Sequence, residues 1–189
     1  PKPQVCTDTA AVANSAWIRN AQKCDKAASC TGTRQVARRD NGVSGYSCKY
    51  PAPAGSCLTF PAAGSSSTGW KGSYTIYHKT LTISGTTYHI IGPYVSWWEA
   101  ESICESLGLS MPTYSQLVAA FITTYGSGSY SAMYAYDAGP GASIAKRFWT
   151  KDDYGNTCDA HALYVGSSNY TKYYASRYLN VNAYYAVCS

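Results

Sequence analysis

The stretch "YVSWWEAESICESLGLSMPTYSQL", Tyr94 to Leu117, decides how the chain is read. Ser96 stands where a helix N-cap belongs, and Trp97, Ala100, Ile103, Cys104 and Leu107 then recur at three and four residues, which predicts one amphipathic helix. Glu99, Glu101 and Glu105 fall mostly on its other faces. Gly108 follows, where a left-handed residue closes a helix. Trp97 belongs to the core side, and Trp98 beside it must point elsewhere. Thr113 or Ser115 can cap a second helix, "QLVAAFITTY", buried through Leu117, Val118, Phe121 and Ile122.

Upstream, "SYTIYHKTLTI" and "TTYHIIG" are strand patterns separated by the turn dipeptide "SG", which predicts a hairpin. Downstream, "GSGSYSAMYAYDAGPGAS" has the composition of a long loop. "RFWT", "HALYVG" and "YAVC" then read as short strands between turns. Further upstream, residues 51–69 are rich in Pro, Gly and Ser and are assigned to a linker. Residues 1–50 form a disulfide-rich N-terminal extension, with Thr7 or Asp8 capping a helix that carries Ala11, Val12, Trp17, Ile18 and Ala21 on one stripe and ends near Cys24. Residues 70–189 are the main domain.

Cysteine usage bounds the compartment. The eight cysteines form an even set with no CxxC pair, and the three histidines, His78, His89 and His161, lie far apart in sequence. That pattern favours disulfides over zinc or redox chemistry and points to an extracellular setting. Eight cysteines allow 105 full pairings; proximity and leftover count suggest Cys6 with Cys24, Cys30 with Cys48, and Cys57 with Cys158. The net charge of +5 includes the cluster Arg34, Arg38 and Arg39, with no aromatic residue interleaved, so a solvated face is expected rather than a nucleic-acid surface. No apolar run reaches bilayer length and no signal-peptide pattern opens the chain, so no membrane insertion is expected.

Met111–Thr113 "MPT", Phe148–Thr150 "FWT" and Tyr184–Cys188 "YYAVC", together with the "SWWEAESIC" helix, resemble in order and spacing the C-type lectin-like domains of bacterial invasin- and intimin-type adhesins. The resemblance spans roughly residues 70–189. It implies an α+β, C-type lectin-like fold with two helices, small antiparallel sheets and a long loop region. It also implies a disulfide from Cys104 to Cys188, tying the first helix to the last strand. The Glu-Pro-Asn or Gln-Pro-Asp loop and the Trp-Asn-Asp of the calcium-dependent sugar binders are missing, so no calcium site, other metal or cofactor is expected. Asp152, Asp153 and Asp159 are read as turn caps.

Catalysis does not assemble from these residues. Glu101 and Glu105 lie four apart but lack a histidine at metal-ligand spacing, and "GSGS" at Gly126–Ser129 is no nucleophile elbow. No catalytic residue is therefore assigned and no enzyme is expected. The tail instead mixes tyrosine with Ser and Asn, as antibody combining sites do. Ligand contacts are assigned to Tyr130, Tyr134, Tyr136 and Asp137 in the long loop, and to Tyr170, Tyr173, Tyr174, Arg177 and Tyr178 in the tail. The expected partner is a glycan or a protein receptor on another cell. The alternatives are a subunit of a bacterial surface filament or pilus, and a variable display protein of the kind that diversity-generating systems produce.

Overall fold

The computed structural model describes residues 30–39, 57–123, 146–154, 156–166, 169–177 and 184–189. Among them run nine strands: β1 Gln35–Ala37, β2 Cys57–Thr59, β3 Ser65–Trp70, β4 Tyr74–Ile83, β5 Thr86–Gly92, β6 Lys146–Tyr154, β7 Asn156–Val165, β8 Tyr170–Ser176 and β9 Tyr184–Cys188. Helix α1 is Trp97–Ser106; α2 is Tyr114–Leu117 and continues as a π-helical stretch, Val118–Thr123. β1 and β2 form a two-stranded ladder, and the other strands form one sheet of seven in the order β3-β4-β5-β9-β6-β7-β8.

The described residues are therefore mostly β, which overturns the α+β, C-type lectin-like expectation of two helices set against small sheets. The physical reason is that, among the described residues, only Trp97–Ser106 is an α-helix of more than two turns. The Tyr- and Thr-rich segments around it have the side chains that suit a pleated, half-buried surface. The hairpin forms as its sequence predicts: β4 and β5 pair from Tyr77↔Gly92 to Ile83↔Thr86. Ser84 and Gly85 take positive φ values of 50° and 81°, the conformation that matches strand twist.

Two parts of the expected 51–69 linker are strands. Ser65–Trp70 is the first strand of the large sheet, and Cys57–Thr59 pairs with Gln35–Ala37. Val36, Leu58 and Phe60 are buried in the same cluster as Trp97 and Trp149, so residues 30–39 share the main core. Their pairing also corrects the cysteine assignment. Cys30 bonds Cys57, in place of Cys30–Cys48 and Cys57–Cys158, because the β1–β2 ladder brings back a segment that is distant in sequence. Cys104 bonds Cys188, as the resemblance implies. The expected helix after Thr7 and the Cys6–Cys24 pair lie outside the described residues.

Each face of the sheet carries a buried core, and strand alternation sorts the side chains between the two. Trp70, Ile76, Ile91, Trp149, Ala162, Tyr184 and Ala186 face α1. Ile83, Ile90, Phe148, Leu163, Tyr185 and Val187 face α2 and its continuation, against Leu117 and Phe121. Gly92 sits where β5 meets β9: a Cβ there would lie 2.8 Å from the Tyr185 ring and 3.0 Å from the Tyr184 carbonyl oxygen.

Helix α1 begins with the Ser96 cap, doubled into a capping box by Glu99. Glu99 is fully buried, contrary to the expected outer placement. Its carboxylate accepts from the Ser96 N–H at 2.9 Å, the Arg39 N–H at 2.9 Å and the Lys71 ammonium at 2.8 Å. Three indoles pin the segment entering the helix: Trp70 donates to the Tyr94 carbonyl, Trp149 to the Val95 carbonyl and Trp97 to the Thr150 carbonyl, at 2.7–2.9 Å.

A histidine pair fastens the turn after β2 to the hairpin. His78 donates from Nδ1 to the Pro61 carbonyl at 2.9 Å, so its Nε2 accepts from His89 Nδ1 at 2.7 Å. Burial lowers the pKa of His78, with His89 and Arg34 adding smaller effects in the same direction, and burial also lowers that of His89. The unfolded chain therefore binds more protons than the folded one as the pH falls below the ordinary histidine value of 6.5. Stability from this pair is complete above that pH and declines below it. Urea unfolding midpoints measured at pH 7.5 and 5.5 should fall on acidification, and the fall should shrink in His78→Gln.

Replacing both Cys104 and Cys188 with alanine opens a loop 84 residues long. Denaturant unfolding should show a loss of about 4.5 kcal/mol, the chain-entropy value for a loop of that length.

Candidate functional site

Of the expected contact residues that the structure describes, Tyr170, Tyr173 and Tyr174 lie on one strand, β8, and Arg177 follows its end. β8 pairs antiparallel with β7 from Val165↔Tyr170 to Asp159↔Ser176 and ends the sheet order among the described residues. Strand geometry sends successive side chains to opposite faces. Tyr173 and Tyr174, neighbours in sequence, therefore belong to two different surfaces. The tail between residues 170 and 176 is not a loop carrying one tyrosine face but an edge strand with aromatic side chains on both.

On the face shared with α2, the rings of Tyr174 and Tyr154 stack in parallel, 4.0 Å apart at 3°. Tyr154 meets His161 edge-on at 5.1 Å, His161 lies 6.2 Å from Tyr114, and the Lys172 ammonium sits 4.6 Å above the Tyr114 ring. Burial raises the pKa of the Tyr114 hydroxyl, helped by Tyr170. The Asp152 carboxylate accepts from the Tyr114 N–H at 2.6 Å and so serves the first turn of α2.

On the opposite face, Arg147 of β6 is the centre. Its guanidinium carbon lies 5.1 Å from the Tyr173 centroid, 5.2 Å from that of Tyr164 and 5.6 Å from that of Tyr184. Tyr184 is buried and packs on Trp149 at 4.3 Å. Burial pushes its pKa up to about 12, against the opposing effect of Arg147. Tyr164 and Tyr173 are 5.2 Å apart and form the outer part of the group.

Arg177 is not a surface contact. Only 3% of it is exposed; it donates to the Asp159 carbonyl at 2.8 Å and the Asp153 carboxylate at 2.6 Å, and lies 4.2 Å from the Trp97 centroid. Sequence treats it as a tail cation because nothing local reveals that it reaches back to β6 and α1. Tyr130, Tyr134, Tyr136, Asp137 and Tyr178 lie outside the described residues. Arg147, Tyr154 and Tyr164 were missed by the sequence reading. The signal for Arg147 was its place at the start of the "RFWT" strand, where alternation sets it on the face of Trp149.

The two other acidic residues singled out for chemistry lie elsewhere. Glu101 and Glu105 line a cleft of about 350 Å³ with Trp97, Leu109, Met111 and Lys151. Burial and then the neighbouring Glu105 raise the Glu101 pKa, against weaker opposing effects of Arg39 and Arg177. The cleft brings together no histidine or thiol nucleophile, and Cys104 in its lining is disulfide-bonded.

No family model matches the chain, and no curated protein is significantly similar to it. The two disulfides among the described residues indicate an oxidising compartment outside the cytoplasm. No helix among the described residues is long and apolar enough to cross a membrane.

If Arg177 is structural, Arg177→Ala should lower stability by about 3 kcal/mol through lost charge-assisted hydrogen bonds and packing. Thermal and urea unfolding check this. A variant as stable as the native chain would return Arg177 to the surface.

Proposed function

We propose that this chain is an extracellular recognition domain that binds a glycan or a cell-surface receptor through the tyrosines of β8, without calcium and without catalysis. The observation that carries the reading is where the exposed large side chains fall. Among the described residues these are Tyr74, Tyr154, Tyr170, Tyr173 and Tyr174; three belong to β8, and a fourth, Tyr154, stacks on Tyr174. A folded core has no need of them there. Tyrosine offers a flat apolar area and a hydroxyl at low conformational cost, the quality that binding surfaces exploit.

The side chains of Asp152 and Asp153 are engaged within the fold. Asp152 serves the α2 N–H and Asp153 pairs with Arg177, which supports a binding mode that does not depend on calcium. The filament alternative draws on the same strand, because a strand at the end of a sheet can accept another by β-augmentation. Self-association at micromolar concentration on gel filtration would favour it.

A glycan array probed with the native chain, with and without chelator, tests the main reading. Binding should be insensitive to chelator and should fall about tenfold or more in either Tyr173→Ala or Tyr174→Ala. Because the two rings lie on opposite faces, the variant that loses binding identifies the face used. Loss of binding on chelation, or full binding by both variants, would reject the reading.

A further inference from the structure

Arg147 differs from the other enclosed cations for which a carboxylate partner is identified. The Lys71 ammonium meets Glu99 and the Arg177 guanidinium meets Asp153, whereas no carboxylate among the described residues lies within ion-pair distance of Arg147. Its surroundings are three tyrosine rings at 5.1–5.6 Å. Its Nε–H is enclosed and has no acceptor. Ring faces attract a cation, but they offer no oxygen to its N–H groups. The side chain is only half-buried, and its Nη groups are not among the enclosed atoms without partners.

We propose that Arg147 is the docking point for the carboxylate of an acidic sugar, with Tyr173 and Tyr164 as the aromatic walls against which the sugar ring packs. The inference rests on the recognition reading above and names its ligand class. A guanidinium presents a planar fork that matches a carboxylate through two parallel hydrogen bonds. The half-buried position strengthens that pairing by limiting competing water. Tyr173 is 39% exposed, so part of its side chain is open to a ligand. The basic character of the chain, net charge +5, favours approach of an anionic ligand. A sugar fits better than an acidic peptide because what surrounds the cation is flat aromatic surface with hydroxyls, rather than a groove for a backbone.

The test uses sialic-acid- and hexuronate-terminated oligosaccharides, each alongside its carboxyl methyl ester, titrated against the native chain, Arg147→Gln and Arg147→Lys. Acidic peptides are titrated in parallel, and the melting temperature of each variant serves as the folding control. The native chain should bind at least one acid about tenfold or more tighter than its ester. Arg147→Gln should bring that ratio close to one while remaining folded, and Arg147→Lys should retain part of it. If Arg147→Gln does not fold, the native acid-to-ester ratio and the partial loss in Arg147→Lys decide.

Equal binding of acid and ester by the native chain, or an unchanged ratio in Arg147→Gln, overturns the inference and leaves the recognition reading standing. Binding confined to acidic peptides and lost in Arg147→Gln overturns the sugar as ligand. Binding to no glycan and no peptide overturns this inference and the glycan form of the recognition reading together.

Discussion

β9 pairs antiparallel with β5 and parallel with β6, so the β3–β5 half of the sheet meets the β6–β8 half only through it. All five of its residues are buried. Its partners in β5 are almost a hundred residues earlier in the chain, and closing so long a loop has an entropic cost that no local contact offsets. The Cys104–Cys188 bond bears on that cost by tethering the strand to α1. It also fixes register. Ala186 and Cys188 face the α1 core while Tyr185 and Val187 face the other, so a slip of one residue would exchange the two sets and carry the cysteine away from its partner.

Helix α1 is held from both sides by charge. Through Glu99 it reaches Lys71 and the backbone of Arg39, and through Trp97 it meets the guanidinium of Arg177, itself tied to β6 and β7. A buried carboxylate is tolerable only when its oxygens are matched, and Glu99 has three donors. These contacts join segments remote in sequence and do for this helix what an apolar face alone would not specify. Against that background the tyrosine setting of Arg147 is the exception: ring faces attract its cation while its enclosed Nε–H has no acceptor.

Much of the frame was legible where the signal is local. The Ser96 cap, the buried stripe of α1, the Thr113 cap and the hairpin through Ser84 and Gly85 depend on spacing and turn chemistry, and the structure reproduces them. Residues 51–69 read as a linker because Ser, Gly and Pro dominate them. A short edge strand such as Ser65–Trp70 needs only one buried face position, here Trp70, and leaves little pattern. The Cys30–Cys57 bond and the burial of Glu99 and Arg177 depend on distant partners, which no local period encodes. The candidate site was half legible: the tyrosines were seen, but the strand that divides them was not.

That division changes what the tyrosines can do. On a loop, Tyr170, Tyr173 and Tyr174 would adapt jointly to one ligand and lose conformational freedom in doing so. On β8 the backbone is fixed by the ladder to β7, so each ring keeps a set position relative to its neighbours. Ordering the surface on binding then costs less, and selectivity follows from fixed geometry rather than adaptation. The two faces also differ chemically: one combines stacked phenols with a histidine and a lysine, the other surrounds a guanidinium. Since β8 side chains alternate, a substitution on one face leaves the other's contacts in place, and the two surfaces can act separately. An edge strand is ordinarily protected from pairing by charge, a role Lys172 can serve, while its tyrosines remain open to solvent.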